Sequence, residues 1–102
     1  MVKIIWANRA LNDLEDIAEY IAKNSGKYAK VTIEGILQET KLLEKHPLIG
    51  RIVPEVNNEK IREIIKGNFR IIYEYDKPKV NILTIHHTAR DLRKRGIFPD
   101  DK

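Results

Sequence analysis

Apolar positions along the chain follow two periods, and each change of period marks an element. Val2 to Trp6 is a short β-favouring run and predicts a first strand. Beyond it the spacing turns helical: Leu11, Leu14, Ile17, Ala18 and Ile21 form one stripe, with Asp13, Glu15, Asp16 and Glu19 largely off it. Asn8 is placed to cap this helix, and Ser25-Gly26 to end it, glycine being free to turn left-handed. A second helix is predicted from about Lys27, with Ala29, Ile33, Ile36, Leu37, Thr40 and Leu43 on one side. It should stop near His46, because the residue before Pro47 is pushed out of the α region. So short a link between the two implies an antiparallel helical hairpin.

His46 to Asn58 (HPLIGRIVPEVNN) contains two prolines, a glycine and two asparagines and is expected to be an irregular connector. From Ile61 to Leu92 the period changes to that of strands. Three runs rich in Ile, Val, Phe and Tyr are separated by Gly67-Asn68 and by Asp76-Lys77-Pro78, so an antiparallel three-stranded meander is expected. A longer turn through Lys66-Gly67-Asn68 would gather Ile61, Ile65, Phe69, Ile71 and Tyr73 on one face. Arg62, Ile64, Arg70, Ile72 and Glu74 would take the other. A two-residue turn would mix these sets, so the longer one is preferred. The predicted fold class is α+β: an N-terminal strand and an antiparallel helical hairpin packed on an antiparallel sheet that the C-terminal meander completes. Leu14, Ile17, Ile33, Ile36, Ile71 and Tyr73 are the expected core.

Composition changes this picture only at its edges. The 102 residues suffice for one core and are expected to form one domain, residues 1–102. There is no apolar run of membrane-spanning length, no signal-peptide pattern at the N-terminus and no cysteine, so a cytoplasmic location is expected, without disulfides or a thiolate metal site. The net charge of +4 is unevenly placed: from Lys60 to Arg95 there are ten bases against four acids. A basic half suits a polyanionic partner or an acidic protein segment about as well as it suits an ordinary solvated surface.

The candidate chemistry lies in that basic half. Arg62, Arg70, His86, His87 and Arg90 are threaded through the meander, and Arg51 follows Gly50 in the connector. Arginines could hold phosphate or anchor a protein target, and a histidine titrates near neutral pH and could move protons. Each residue also has a plainer reading. Arg62 and Arg70 could pair with Glu63 and Glu74, Arg51 could bond nearby carbonyls, and one of two adjacent histidines should face inward. No carboxylate or third histidine stands at ligand spacing from His86 and His87, so no metal and no cofactor is expected.

The order of these parts resembles the RelE/ParE superfamily of type II toxin–antitoxin toxins. The resemblance rests on Pro47, Gly50, Arg51, Arg62, Glu63, Gly67, Phe69, Arg70, Tyr73, His87, Arg90 and Leu92, with Ala10, Asp13, Leu14, Ile17, Tyr20 and Ile21 in the first helix. It covers nearly the whole chain. RelE-like members cleave messenger RNA on the ribosome, and ParE-like members inhibit DNA gyrase without a nuclease site. The helical hairpin and the H-x-x-R-D-L ending look more like the ParE-like, plasmid-stabilisation branch, and no Tyr or His follows Arg90 where RelE-like nucleases often carry one.

The resemblance thus implies a toxin that binds an essential target such as DNA gyrase and is neutralised by a cognate antitoxin. The assembly would be a homodimer or a heterotetramer with that antitoxin. Arg51, Arg62, Arg70, His87, Arg90 and Arg93 are the candidate target- or RNA-binding residues. In the alternative, a ribosome-dependent mRNA endonuclease, His87, Arg62, Arg70 and Arg90 would be the catalytic candidates. A non-toxic basic module that binds RNA or protein is the third reading.

Overall fold

The computed structural model describes residues 1–88 and 92–95. Strand β1 (Lys3–Trp6) leads into helices α1 (Asn8–Ala22) and α2 (Gly26–Leu42). Strands β2 (Arg51–Ile52), β3 (Ile61–Lys66), β4 (Phe69–Asp76) and β5 (Lys79–His87) follow, and a 3-10 helix spans Leu92–Arg95. The sheet order is β1-β5-β4-β3-β2. The meander is antiparallel as expected, while β1 joins β5 in parallel, so the sheet is mixed. A parallel pair cannot be joined by a tight turn, and here the helical hairpin and strands β2, β3 and β4 all lie between β1 and β5 in the chain.

The helices begin and end differently from the expectation. Ala7, not Asn8, precedes the first turn of α1 and offers no side-chain cap. Ser25 and Gly26 start α2 rather than finish α1: the Ser25 hydroxyl accepts a hydrogen bond from the Tyr28 backbone N–H at 3.1 Å. An oxygen-bearing side chain satisfies one of the donors that a helix start leaves open, which a glycine stop could not do.

The hairpin covers one face of the sheet. Ala10, Ile36, Leu43, Ile71, Tyr73, Val80, Ile82 and Ile85 form the main core, with Leu14, Ile17, Ile64 and Phe69 half-buried against it. Ala10 is the most enclosed residue of α1, because its small side chain lets the helix approach the strands closely. A second, smaller cluster lies apart from it and joins Val53, Ile61, Ile72 and Leu92.

The β3–β4 register corrects the expected faces. Lys66 is opposed to Phe69, so the turn is the two-residue Gly67-Asn68. Gly67 takes φ 58°, and among the described residues Asn57 is the one non-glycine with positive φ. Positive φ at the first central position alone fits a type II′ turn, whose twist matches that of paired strands. Ile64 therefore faces the main core opposite Ile71, while Ile61 joins the smaller cluster and Ile65 is exposed. Arg62 is opposed to Tyr73 and Arg70 to Ile65, which places these two arginines on opposite faces.

A register shift at Ile72/Tyr73 interrupts the ladder with β5, the strand against which α1 packs. There the Asp13 carboxylate accepts hydrogen bonds from the Thr84 hydroxyl and, at 3.0 Å, from the Ile85 backbone N–H. A bulge leaves ladder groups without cross-strand partners, and this aspartate satisfies one from the helix. Asp13→Ala should therefore lower stability by about 1–3 kcal/mol, because a half-buried donor loses its acceptor. Ile36→Ala, which leaves a cavity under the hairpin, should lower it by about 2–5 kcal/mol. Urea denaturation of both variants checks these values.

Candidate functional site

The polar residues named from the sequence fall into three places rather than one. On the face away from the hairpin, Glu63 is fully buried between two arginines. Arg70 donates from Nε to Glu63 Oε1 at 2.5 Å and from both terminal nitrogens to Glu55, at 2.7 and 2.8 Å. Arg51 donates from Nε to Glu63 Oε2 at 2.6 Å while most of its side chain stays in solvent. The hydrogen bonds to Glu55 hold the Arg70 guanidinium above its ordinary pKa; burial opposes, and the bond to Glu63 adds to the rise. Two guanidinium groups thus meet two carboxylates, and the cluster is neutral. His86, opposed to Arg70 and nearly fully buried, is the histidine beside it.

The second place is the connector. Gly50 donates its N–H to the Tyr73 hydroxyl at 3.0 Å, and that hydroxyl donates to the Pro47 carbonyl at 2.8 Å. Arg62 donates from Nη1 to the Gly50 carbonyl and from Nε to that of Glu59. Burial pushes the Tyr73 hydroxyl pKa up, with the Gly50 hydrogen bond and the Arg62 charge opposing. A side chain at position 50 has no room: a Cβ would lie 2.6 Å from the Glu63 carbonyl oxygen and 2.7 Å from the Tyr73 hydroxyl. The spacing P-x-x-G-R thus fixes a loop on the sheet, and Arg62 serves as its strut.

The third place is a groove of about 880 Å³ between the hairpin and the Gly67-Asn68 end of the sheet. Tyr20, Tyr28, Val31, Lys66, Phe69 and His87 are among its lining residues. His87 meets the Phe69 ring edge-on, with centroids 5.5 Å apart. Tyr20, Tyr28 and Val31 are exposed along the rim, and Lys66 crosses Gly35 to come within 3.7 Å of Glu39.

Of the residues expected to act together, the structure therefore brings Arg51 and Arg70 to one carboxylate and leaves the others apart. His87 lies on the hairpin side of the sheet with Phe69, and Arg70 on the opposite side. Arg62 shares the hairpin side but stands four residues along β3 from the end where His87 lies, about 13 Å away at the rise of a strand. Arg90 lies outside the described residues, as does the side chain of Arg93. Sequence reasoning missed Glu55, which sits in the irregular connector with no periodicity to place it. It also missed the role of Tyr73, whose apolar setting concealed a hydroxyl that holds a loop. Among the described residues, no group of three or more His, Asp or Glu could hold a metal ion.

Comparison with known proteins agrees with this architecture. Residues 4–92 match the family model of the ParE toxin of the type II toxin–antitoxin system parDE. Among solved structures, the chain is similar to one from the chromosomal ParDE toxin–antitoxin system of P. aeruginosa, with TM-score 0.73, 20% identity, and 85% of this chain and 96% of that one covered. It is also similar to a chain of the YoeB–YefM complex from Staphylococcus aureus, with TM-score 0.55, 15% identity, and coverage of 85% and 97%. At these identities the likeness is one of fold. No curated protein matches the sequence.

The connector clamp makes its own prediction. Tyr73→Phe keeps the ring in the core but leaves the Gly50 N–H without its acceptor, and should lower stability by about 1–3 kcal/mol. Amide hydrogen exchange at residues 47–51 should speed up in this variant, with exchange in the α1–α2 hairpin unchanged.

Proposed function

The chain belongs to the ParE toxin family of type II toxin–antitoxin systems, and on that premise we propose that it arrests growth by binding an essential protein, DNA gyrase, rather than by cutting RNA. The whole chain acts as one toxin domain in the cytoplasm. A cognate antitoxin neutralises it by laying an acidic, apolar-faced segment into the groove beside Tyr20, Tyr28 and Phe69. The groove offers such a segment apolar and aromatic side chains and the Lys66 ammonium together with Asp13 and Asp16, so the acidic part of the segment is placed beyond it, toward the basic second half of the chain. A segment that orders as it binds would gain both the apolar contacts of the groove and the charge.

The separation of His87 from Arg70 by the thickness of the sheet carries this reading. Cleaving RNA through its own 2′-hydroxyl needs a proton-transfer group and cations converging on one phosphate. His87 and Arg70 face opposite ways, Arg70 is neutralised by Glu55 and Glu63, and Arg62 is bonded to loop carbonyls. His86 does share the face of Arg70, but at 1% exposure it is closed to a polynucleotide.

The variant that separates the two activities is His87→Gln. It should arrest growth as strongly as the parent protein, with plasmid supercoiling falling and messenger RNA intact. In a nuclease, loss of a proton-transfer group would slow cleavage by about two to four orders of magnitude. Following DNA topology and mRNA integrity side by side after induction decides between them.

A further inference from the structure

The connector clamp does more than close the sheet edge, because it holds two large apolar side chains out in water. Leu48 is 58% and Ile49 57% exposed, although both neighbours in the chain, Pro47 and Gly50, are fixed by the buried Tyr73 hydroxyl. Arg62 fixes Gly50 a second time through its carbonyl. A loop with no role would be free to fold these side chains back or to carry polar ones. Here the backbone is immobilised so that the pair forms a stiff apolar knuckle.

Basic residues stand on both sides of it in the chain. Lys45 precedes the knuckle and Arg51 follows it, the latter held by Nε on Glu63 with most of its side chain in solvent. A shallow hollow beside Pro47 is lined by Met1, Val2, Tyr75, Lys45 and Lys77, and among its lining residues Glu44 is the one carboxylate. No residue of this hollow or of the knuckle lines the antitoxin groove at the Gly67-Asn68 end.

We infer that the Leu48-Ile49 knuckle with its basic surround is the surface that engages the toxin's target, and that it fits an apolar pocket rimmed by carboxylates on a folded protein. The inference rests on the binding function proposed above and adds the place of contact. Three features choose this occupant. A stiff knuckle suits a preformed pocket, because little ordering entropy is lost on contact, whereas a disordered antitoxin tail suits a groove. Leu and Ile have no ring on which a nucleic acid base could stack, so RNA is a poor fit. A second copy would bring the same cations and a net charge of +4 against them.

Two double variants test the assignment in the full-length protein. Leu48→Ser with Ile49→Ser removes the apolar tip, and Lys45→Glu with Lys77→Glu reverses the surround. All four side chains are exposed, so thermal midpoints should match the parent. Each variant should need at least about tenfold more protein to inhibit supercoiling by purified DNA gyrase, as expected for a contact at the centre of an interface. Growth arrest should weaken in parallel while co-purification with the antitoxin is retained.

Full potency in both variants would overturn the inference. So would loss of antitoxin binding with potency kept, a parent dimer that the serine variant turns into monomers, or RNA bound by the parent and released by the charge reversal. If the parent arrests growth yet leaves gyrase active, the gyrase reading fails and growth arrest alone judges the knuckle: weaker arrest supports it, unchanged arrest overturns it. A parent that does neither overturns the proposed function, and this assignment falls with it.

Discussion

A carboxylate closed off from water has to be paired, and Glu63 sets this requirement for half of the sheet. Burying an unpaired charge costs far more than one hydrogen bond returns, so the fold surrounds Glu63 with Arg70 from β4 and Arg51 from β2. Arg70 then has donors left over, and Glu55 of the connector accepts them. One buried acid thus joins three strands and an otherwise irregular loop. The same bonds determine what the arginines can do, because a guanidinium held by two carboxylates has little attraction left for phosphate.

The connector is fixed from the other face by a different device. Tyr73 stands in the main core with its hydroxyl at the sheet edge, accepting from Gly50 and donating to Pro47. Gly50 is required there because a Cβ would strike both the hydroxyl and the Glu63 carbonyl. At the far end of the sheet Asp13 plays a comparable part, reaching from α1 to the irregular stretch of β5. Packing of the apolar faces brings the hairpin to the sheet, and these polar ties fix how it sits. The sites proposed for partners lie at opposite ends of this frame, the groove at Gly67-Asn68 and the knuckle at Leu48-Ile49.

Much of this was legible in the chain. Helical spacing located both helices, strand-like runs located the meander, and the order of motifs pointed to the family. The division of the meander's two faces was not legible, because it depended on a single residue of register. Gly67-Asn68 as a two-residue turn moves Ile64 inward and Ile65 outward, and separates Arg62 from Arg70, which alternation alone had placed together. Strand β2 is only two residues long and held by side chains, so no period announced it. The Arg70–Glu63 pair was open to reading as a diagonal neighbour across the ladder. Glu55 was not, because its position comes from the loop's path. Ser25-Gly26 carried signals for both a helix end and a helix start, and the serine hydroxyl decided for the start.

The claim at the centre of the account is that Arg70 is an internal cation, committed to Glu63 and Glu55 and not to a ligand. A double-mutant cycle of Glu63→Gln and Arg70→Met, followed by chemical denaturation, tests it most directly. Each single variant should lose about 1–3 kcal/mol, because it removes a buried charge-assisted hydrogen bond while Glu55 still holds Arg70 or Arg51 still holds Glu63, and the double variant should lose clearly less than the sum. An Arg70→Met protein within about 0.5 kcal/mol of the parent, additive with Glu63→Gln and yet unable to arrest growth, would contradict the account and return Arg70 to the target.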